Sequence, residues 1–176
     1  MFQVRILRPV EFETLRDAMD PNTKRICTSL LLTGMRYAEL QRFRENPDWL
    51  DGKFIYLPRG SMLKARAKQR EREIRLSDMG KTLLPDLFQV PHPLPDLPAI
   101  DMKLRRLSKR ILEGVPINNK SFRKTWESWL VFYYPNKALQ IALSQGHTTT
   151  QYEHYLNIPF EEDDRKEMRK WVEGWI

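Results

Sequence analysis

Apolar residues recur at helical spacing over most of this chain, and the exceptions are short and local. Pro9 opens a first segment in which Phe12, Leu15 and Met19 share one helical face. Asp20-Pro21-Asn22-Thr23 breaks that segment and starts a second helix, whose 26–32 stretch is apolar enough to lie in the core. Gly34 ends it, and 36–43 begins a third helix. Asn46-Pro47-Asp48 reads as a turn, after which 53–57 and 73–76 read as two strands. The stretch 58–72 between them reads as a long hairpin tip. Ser77-Asp78 starts a helix that ends before Pro91. Residues 91–98 hold four prolines, which predicts a stiff surface connection with His92 exposed on it. Helical segments follow at 100–113, 118–134, 136–145, 149–156 and 161–175, punctuated by Pro116, Pro135, Gly146 and Pro159. The pattern therefore predicts a mainly α protein with one small antiparallel β-sheet in its first half (α+β). Its main body spans 1–160 and is followed by a helical tail at 161–176.

Charge changes the picture more than overall composition does. Thirty Lys and Arg against twenty-three Asp and Glu leave a net charge of +7, which favours a polyanionic partner, nucleic acid ahead of a membrane surface. The hairpin tip concentrates the excess in Arg59, Lys64, Arg66, Lys68, Arg70 and Arg72, with no acid before Glu71. Such a run fits a solvated loop, but fits a phosphate-facing tip better. The single cysteine, Cys27, excludes an internal disulfide and a cysteine-based zinc site, and its apolar helical surroundings predict a buried thiol. No apolar run reaches the ~18 residues of a membrane span, and the N-terminus does not read as a signal peptide. The expected setting is the cytoplasm of a host cell, in association with its nucleoid, with no membrane partner.

Five places carry candidate chemistry. In Thr33-Gly34-Met35-Arg36-Tyr37-Ala38-Glu39-Leu40, Arg36 follows a helix-ending glycine at the start of the next helix, where backbone amides favour an anion and a guanidinium can grip it with two bonds. Glu39, three residues on, could orient it; the pair also fits an ordinary surface helix pair. Lys120 and Arg123, at i and i+3, place two cations on one helical face, a costly arrangement unless an anion lies between them. His147 follows Gly146 at a helix junction and could donate to a phosphate oxygen. Tyr155 could act as a nucleophile if its proton were removed and its oxygen aimed at phosphorus. Lys64 or Lys68 on the hairpin could reach a DNA groove and protonate a leaving alkoxide.

In this order the five resemble the tyrosine recombinases, which include phage integrases and the Xer and Cre types. Members carry an arginine in a Thr-Gly-Leu-Arg-x-x-Glu-Leu box, a lysine on a β-hairpin, a His-x-x-Arg box, a Leu-Gly-His box and then the nucleophilic tyrosine. Thr33 to Leu40 is similar to the first box almost letter for letter, and Ser144-Gln145-Gly146-His147 followed by Tyr155 is similar to the last. The chain departs from the pattern twice. Lys120 stands where most members have histidine, as in some archaeal viral integrases, and Tyr155 follows His147 by eight residues rather than the usual nine. Tyr152 is too close to His147 to take that part.

The resemblance implies the tyrosine-recombinase catalytic-domain fold for 1–160, and an archaeal virus or plasmid origin. It implies site-specific cutting and rejoining of double-stranded DNA through a 3′-phosphotyrosine on Tyr155, with no metal and no nucleotide cofactor. Arg36, Lys120, Arg123 and His147 would surround the phosphate, with Glu39 supporting, while Arg59, Arg66, Arg70 and Arg72 would hold DNA. It also implies homotetramers on DNA, monomers being compatible with the DNA-free state, and a 161–176 tail able to exchange between protomers. A catalytically inactive DNA-binding module and a type IB topoisomerase-like enzyme are the alternatives on the same plan.

Overall fold

A computed structural model describes residues 4–59, 71–147 and 160–176. Eight helices surround a small sheet in the described residues. The first three are α1 (Pro9–Asp17), α2 (Pro21–Thr33) and α3 (Tyr37–Glu45). Next come β1 (Leu50–Asp51), β2 (Phe54–Leu57) and β3 (Arg72–Arg75). The helices α4 (Asp78–Leu83), α5 (Leu97–Ile111), α6 (Asn119–Tyr133), α7 (Ala138–Gln145) and α8 (Glu162–Val172) complete the chain. Among the described residues the helical and strand segments expected from the sequence recur, with three differences; the helix expected at 149–156 and most of the hairpin tip expected at 58–72 lie outside them. A strand at β1 pairs with β2 across a tight Gly52-Lys53 turn, Gly52 having φ 58°; two residues are too few to show a period. The helix begun at Asp78 gives way to a 3-10 stretch over Leu84–Gln89, where Pro85 cannot donate to the helical ladder. The proline-rich connection ends sooner than its composition suggests. Asp96 caps α5 by accepting from Ala99 N–H, and Pro98 is tolerated in the first turn, where its missing N–H is no loss.

α2 is the central helix. Every residue from Ile26 to Thr33 is buried, Cys27 among them, and α2 packs against α1, α4 and α6. An aromatic cluster joins α1 to α6 and α8: Phe12 meets Phe122, Trp129 and Trp171 edge to face at 6.2, 6.1 and 5.3 Å. The chain leading into α1 is tied to α6 by Leu7 N–H donating to Thr125 Oγ1 and by Trp129 Nε1 donating to the Leu7 carbonyl, both at 2.9 Å. The C-terminal segment packs on its own chain. Met168, Trp171, Val172 and Trp175 are buried against α1, α4 and α6, and Asp78 N–H donates to the Glu173 carbonyl.

The sheet is antiparallel in the order β1-β2-β3, with Ile55 opposite Ile74 and Leu57 opposite Arg72. Ile55, Leu57 and Ile74 face the core, while Phe54 and Tyr56 face outward. α7 lies along β3, where Ser144 Oγ accepts from Arg75 N–H at 3.2 Å. That docking brings the end of α7 beside the junction of α2 and α3.

Candidate phosphate-binding site

The site begins with a turn. Gly34 closes α2 in the left-handed conformation, φ 63°, and its N–H reaches the Leu30 carbonyl. Arg36 is then the N-cap of α3, and Glu39 reaches back to it: Glu39 Oε2 accepts from the Arg36 backbone N–H and Oε1 from its guanidinium, both at 3.1 Å. The Glu39 side chain is completely buried, whereas that of Arg36 is 43% exposed. Arg36 therefore stands on a buried carboxylate with its outer edge open to solvent.

Arg72 is placed differently from the sequence expectation. Counted there among the DNA-facing cations of the hairpin, it begins β3 and lies inside the protein, with its side chain 7% exposed. Its Nη1 and Nη2 form a fork on the two oxygens of Glu39 at 2.9 and 2.7 Å, and its Nε donates to the Ser144 carbonyl at 3.1 Å. All three groups are engaged within the fold, so Arg72 is a bracket joining α3, β3 and α7. Burial pushes the Glu39 carboxyl up, but the Arg72 hydrogen bond and the charges of Arg72, Arg36 and Arg123 overcome that and leave it below the ordinary carboxylate value.

Arg123 enters from α6. Its Nη1 donates to the Gly34 carbonyl at 2.6 Å, and its Nη2 donates to the Gln145 carbonyl and lies 3.2 Å from His147 Nε2. Burial, followed by the positive charges of Arg36 and Arg72, pushes the guanidinium down to about 10. Three arginines gather here against the Glu39 and Glu127 carboxylates, an excess of one positive charge. His147 is brought in by Gly146, the left-handed cap of α7 with φ 71°, and its ring lies 2.9 Å from Glu127 Oε2. Gln145 closes the site from behind. Its side-chain amide fills the space over Gly34, where a Cβ would stand 2.1 Å from Oε1.

The Arg36–Glu39 pair, Arg123 and His147, far apart in sequence, thus come together around the α2–α3 turn. Lys120 is exposed near the N-terminal end of α6, one turn before Arg123 and on its face of the helix. Arg59 is exposed just beyond β2. Lys64, Arg66, Lys68, Arg70 and Tyr155 lie outside the described residues. Sequence reasoning missed Glu127, although a lone acid among the apolar residues of α6 is a signal, because burying it is costly without partners. It also passed over Lys103, Arg105, Arg106, Lys109 and Arg110, five exposed cations of α5. Among the described residues no helix is long and apolar enough to cross a membrane, and no three His, Cys, Asp or Glu are grouped to hold a metal ion.

The chain has the tyrosine-recombinase catalytic-domain fold. It superposes on the integrase of the Tn1549 transposon in complex with transposon right end DNA, with a TM-score of 0.70 and 15% identity, covering 97% of this chain and 67% of that one. XerA recombinase gives a TM-score of 0.67 at 18% identity, with 97% and 65% covered. The XerH site-specific recombinase bound to its difH substrate, in a pre-cleavage complex, gives 0.62 at 14%, with 92% and 53% covered. The chain thus spans between about half and two thirds of the length of these structures. No protein-family model and no curated protein matches the sequence.

Proposed function

We propose that this chain is a DNA strand transferase of the tyrosine-recombinase type, which cleaves and rejoins duplex DNA at specific sites through a covalent 3′-phosphotyrosine at Tyr155. The observation that carries the reading is that Arg36, held on buried Glu39, and Arg123, bonded to the Gly34 carbonyl and beside His147, gather around the α2–α3 turn. DNA-bound recombinases of the same fold support duplex DNA as the substrate, and the exposed cations of α5 offer further contacts to its backbone.

A phosphodiester resists attack because its oxygens are negative and its leaving alkoxide is poor. In this reading Arg36, Lys120, Arg123 and His147 surround the non-bridging oxygens and offset the charge of the five-coordinate transition state. The Tyr155 oxygen gives up its proton to water and bonds to phosphorus as the bond to the 5′ oxygen breaks, and Lys64 or Lys68 protonates that oxygen. The phosphoester to Tyr155 keeps the bond energy, so a 5′-hydroxyl from a second duplex can reverse the step. Arg59, Arg66 and Arg70 would contact the DNA backbone. Strand exchange would take four protomers on two duplexes.

A duplex nicked beside the cleavage point tests the reading, because the released fragment diffuses away and traps the adduct. Wild type should accumulate a covalent protein–DNA species that maps to Tyr155, and Tyr155→Phe should bind DNA yet form none. Arg36→Ala should lose cleavage by about 3–4 kcal/mol of barrier, with much less effect on binding. An adduct in Tyr155→Phe refutes the nucleophile; no adduct in wild type leaves a DNA-binding module.

A further inference from the structure

α6 buries a second carboxylate beside the site, and the roles assigned so far do not use it. Glu127 lies one turn beyond Arg123 among Phe122, Trp126 and Leu130, and its side chain is 1% exposed. Its Oε2 is 2.9 Å from His147 Nε2, and Arg123 Nη2 approaches the same ring nitrogen to 3.2 Å. A guanidinium only donates and an ionised carboxylate only accepts. His147 Nε2 therefore has two exclusive states. With a proton it donates to Glu127; without one it accepts from Arg123. Arg123 already donates to the Gly34 and Gln145 carbonyls, so its bonding does not require the ring. A buried carboxylate turned toward a lone pair would be strongly disfavoured.

We propose that Glu127 is a positioning residue that keeps a proton on His147 Nε2 by accepting its hydrogen bond, which fixes the ring and leaves the Arg123 guanidinium free to donate to an incoming phosphate oxygen. Without the carboxylate, Nε2 would take a hydrogen bond from Arg123, and that Arg123 donor would be spent on the ring instead of on the anion. The two buried acids then have parallel tasks: Glu39 orients Arg36, and Glu127 sets the proton of His147. The phosphate as ligand rests on the recombinase reading; the placement of the proton does not.

Two measurements on the full chain decide it. The first needs no DNA: long-range proton–nitrogen correlation of ¹⁵N-histidine protein, with His147 assigned by His147→Ala. A proton on Nε2 in wild type is expected, with a shift toward the Nδ1-protonated ring in Glu127→Gln; an Nδ1-only proton in wild type overturns the proposal, even if the variant does not fold. The second is single-turnover cleavage of the nicked duplex. Glu127→Gln should slow it about 10–100-fold, the range found when the carboxylate partner of a metal-bound histidine is removed, with DNA affinity unchanged. In a His147→Ala background the same substitution should cost nothing further. An unchanged rate, or equal loss in both backgrounds, overturns the assignment. Absence of any adduct in wild type would instead count against the recombinase reading and leave the spectroscopic result standing.

Discussion

Replacing Arg72 by alanine separates a buried bracket from a DNA-contacting cation. The substitution removes the 2.9 and 2.7 Å bonds to Glu39 and the 3.1 Å bond to the Ser144 carbonyl. Glu39, completely buried, keeps the Arg36 guanidinium and backbone N–H at 3.1 Å each. Removing one partner of a buried ion pair costs about 3–5 kcal/mol, and the retained Arg36 contacts place the loss near the lower end, about 3 kcal/mol. At about 2–4 °C per kcal/mol for a domain of this size, the melting temperature should fall by roughly 6–12 °C. Urea denaturation should show a lower midpoint with an unchanged slope. Arg72→Lys keeps the charge but not the fork, and should fall between the two. Since the Glu39 carboxyl is held below its ordinary value, its contribution is present above the ordinary carboxylate range and is lost as pH falls through the lowered value. The gap between wild type and Arg72→Ala should accordingly narrow in acid. A stability change within about 0.5 kcal/mol, together with a salt slope of DNA binding reduced by about 0.9, would refute the reasoning and return Arg72 to the DNA surface.

Three further outcomes follow from the same contacts. Gly34→Ala imposes a left-handed alanine, which costs about 1–2 kcal/mol, and drives its Cβ into the Gln145 amide; thermal denaturation should show at least that loss. Asp20 caps α2 through Thr23 N–H and pairs with Lys103; burial raises its carboxyl, but these partners bring it down to about 2. The stability it contributes should be complete above about 3.8 and lost as pH falls toward 2, and Asp20→Ala melts should show a smaller loss over that window. Trp175, wholly buried, donates Nε1 to the Arg75 carbonyl at 3.1 Å, so Trp175→Ala should cost about 3–5 kcal/mol in denaturation of the DNA-free protein.

Sequence by itself determined a good deal of this protein, because the relevant information is local. Apolar spacing marked the helices, Asp20-Pro21 and Gly34 marked their ends, and the short segments on either side of the basic run marked β2 and β3. The ordered boxes around Arg36, Lys120, Arg123 and His147 identified a candidate phosphate site. Where the sequence failed, the deciding partner was distant along the chain. The neighbours of Arg72 do not reveal its burial, since the carboxylate that claims it is thirty-three residues away on α3. Glu127 was passed over although it is an acid in an apolar stretch, and only the docking of α7 against α6 and β3 gave it a histidine to face. A side chain's type fixes what it can donate or accept; which of those bonds it makes depends on how the helices and the sheet pack.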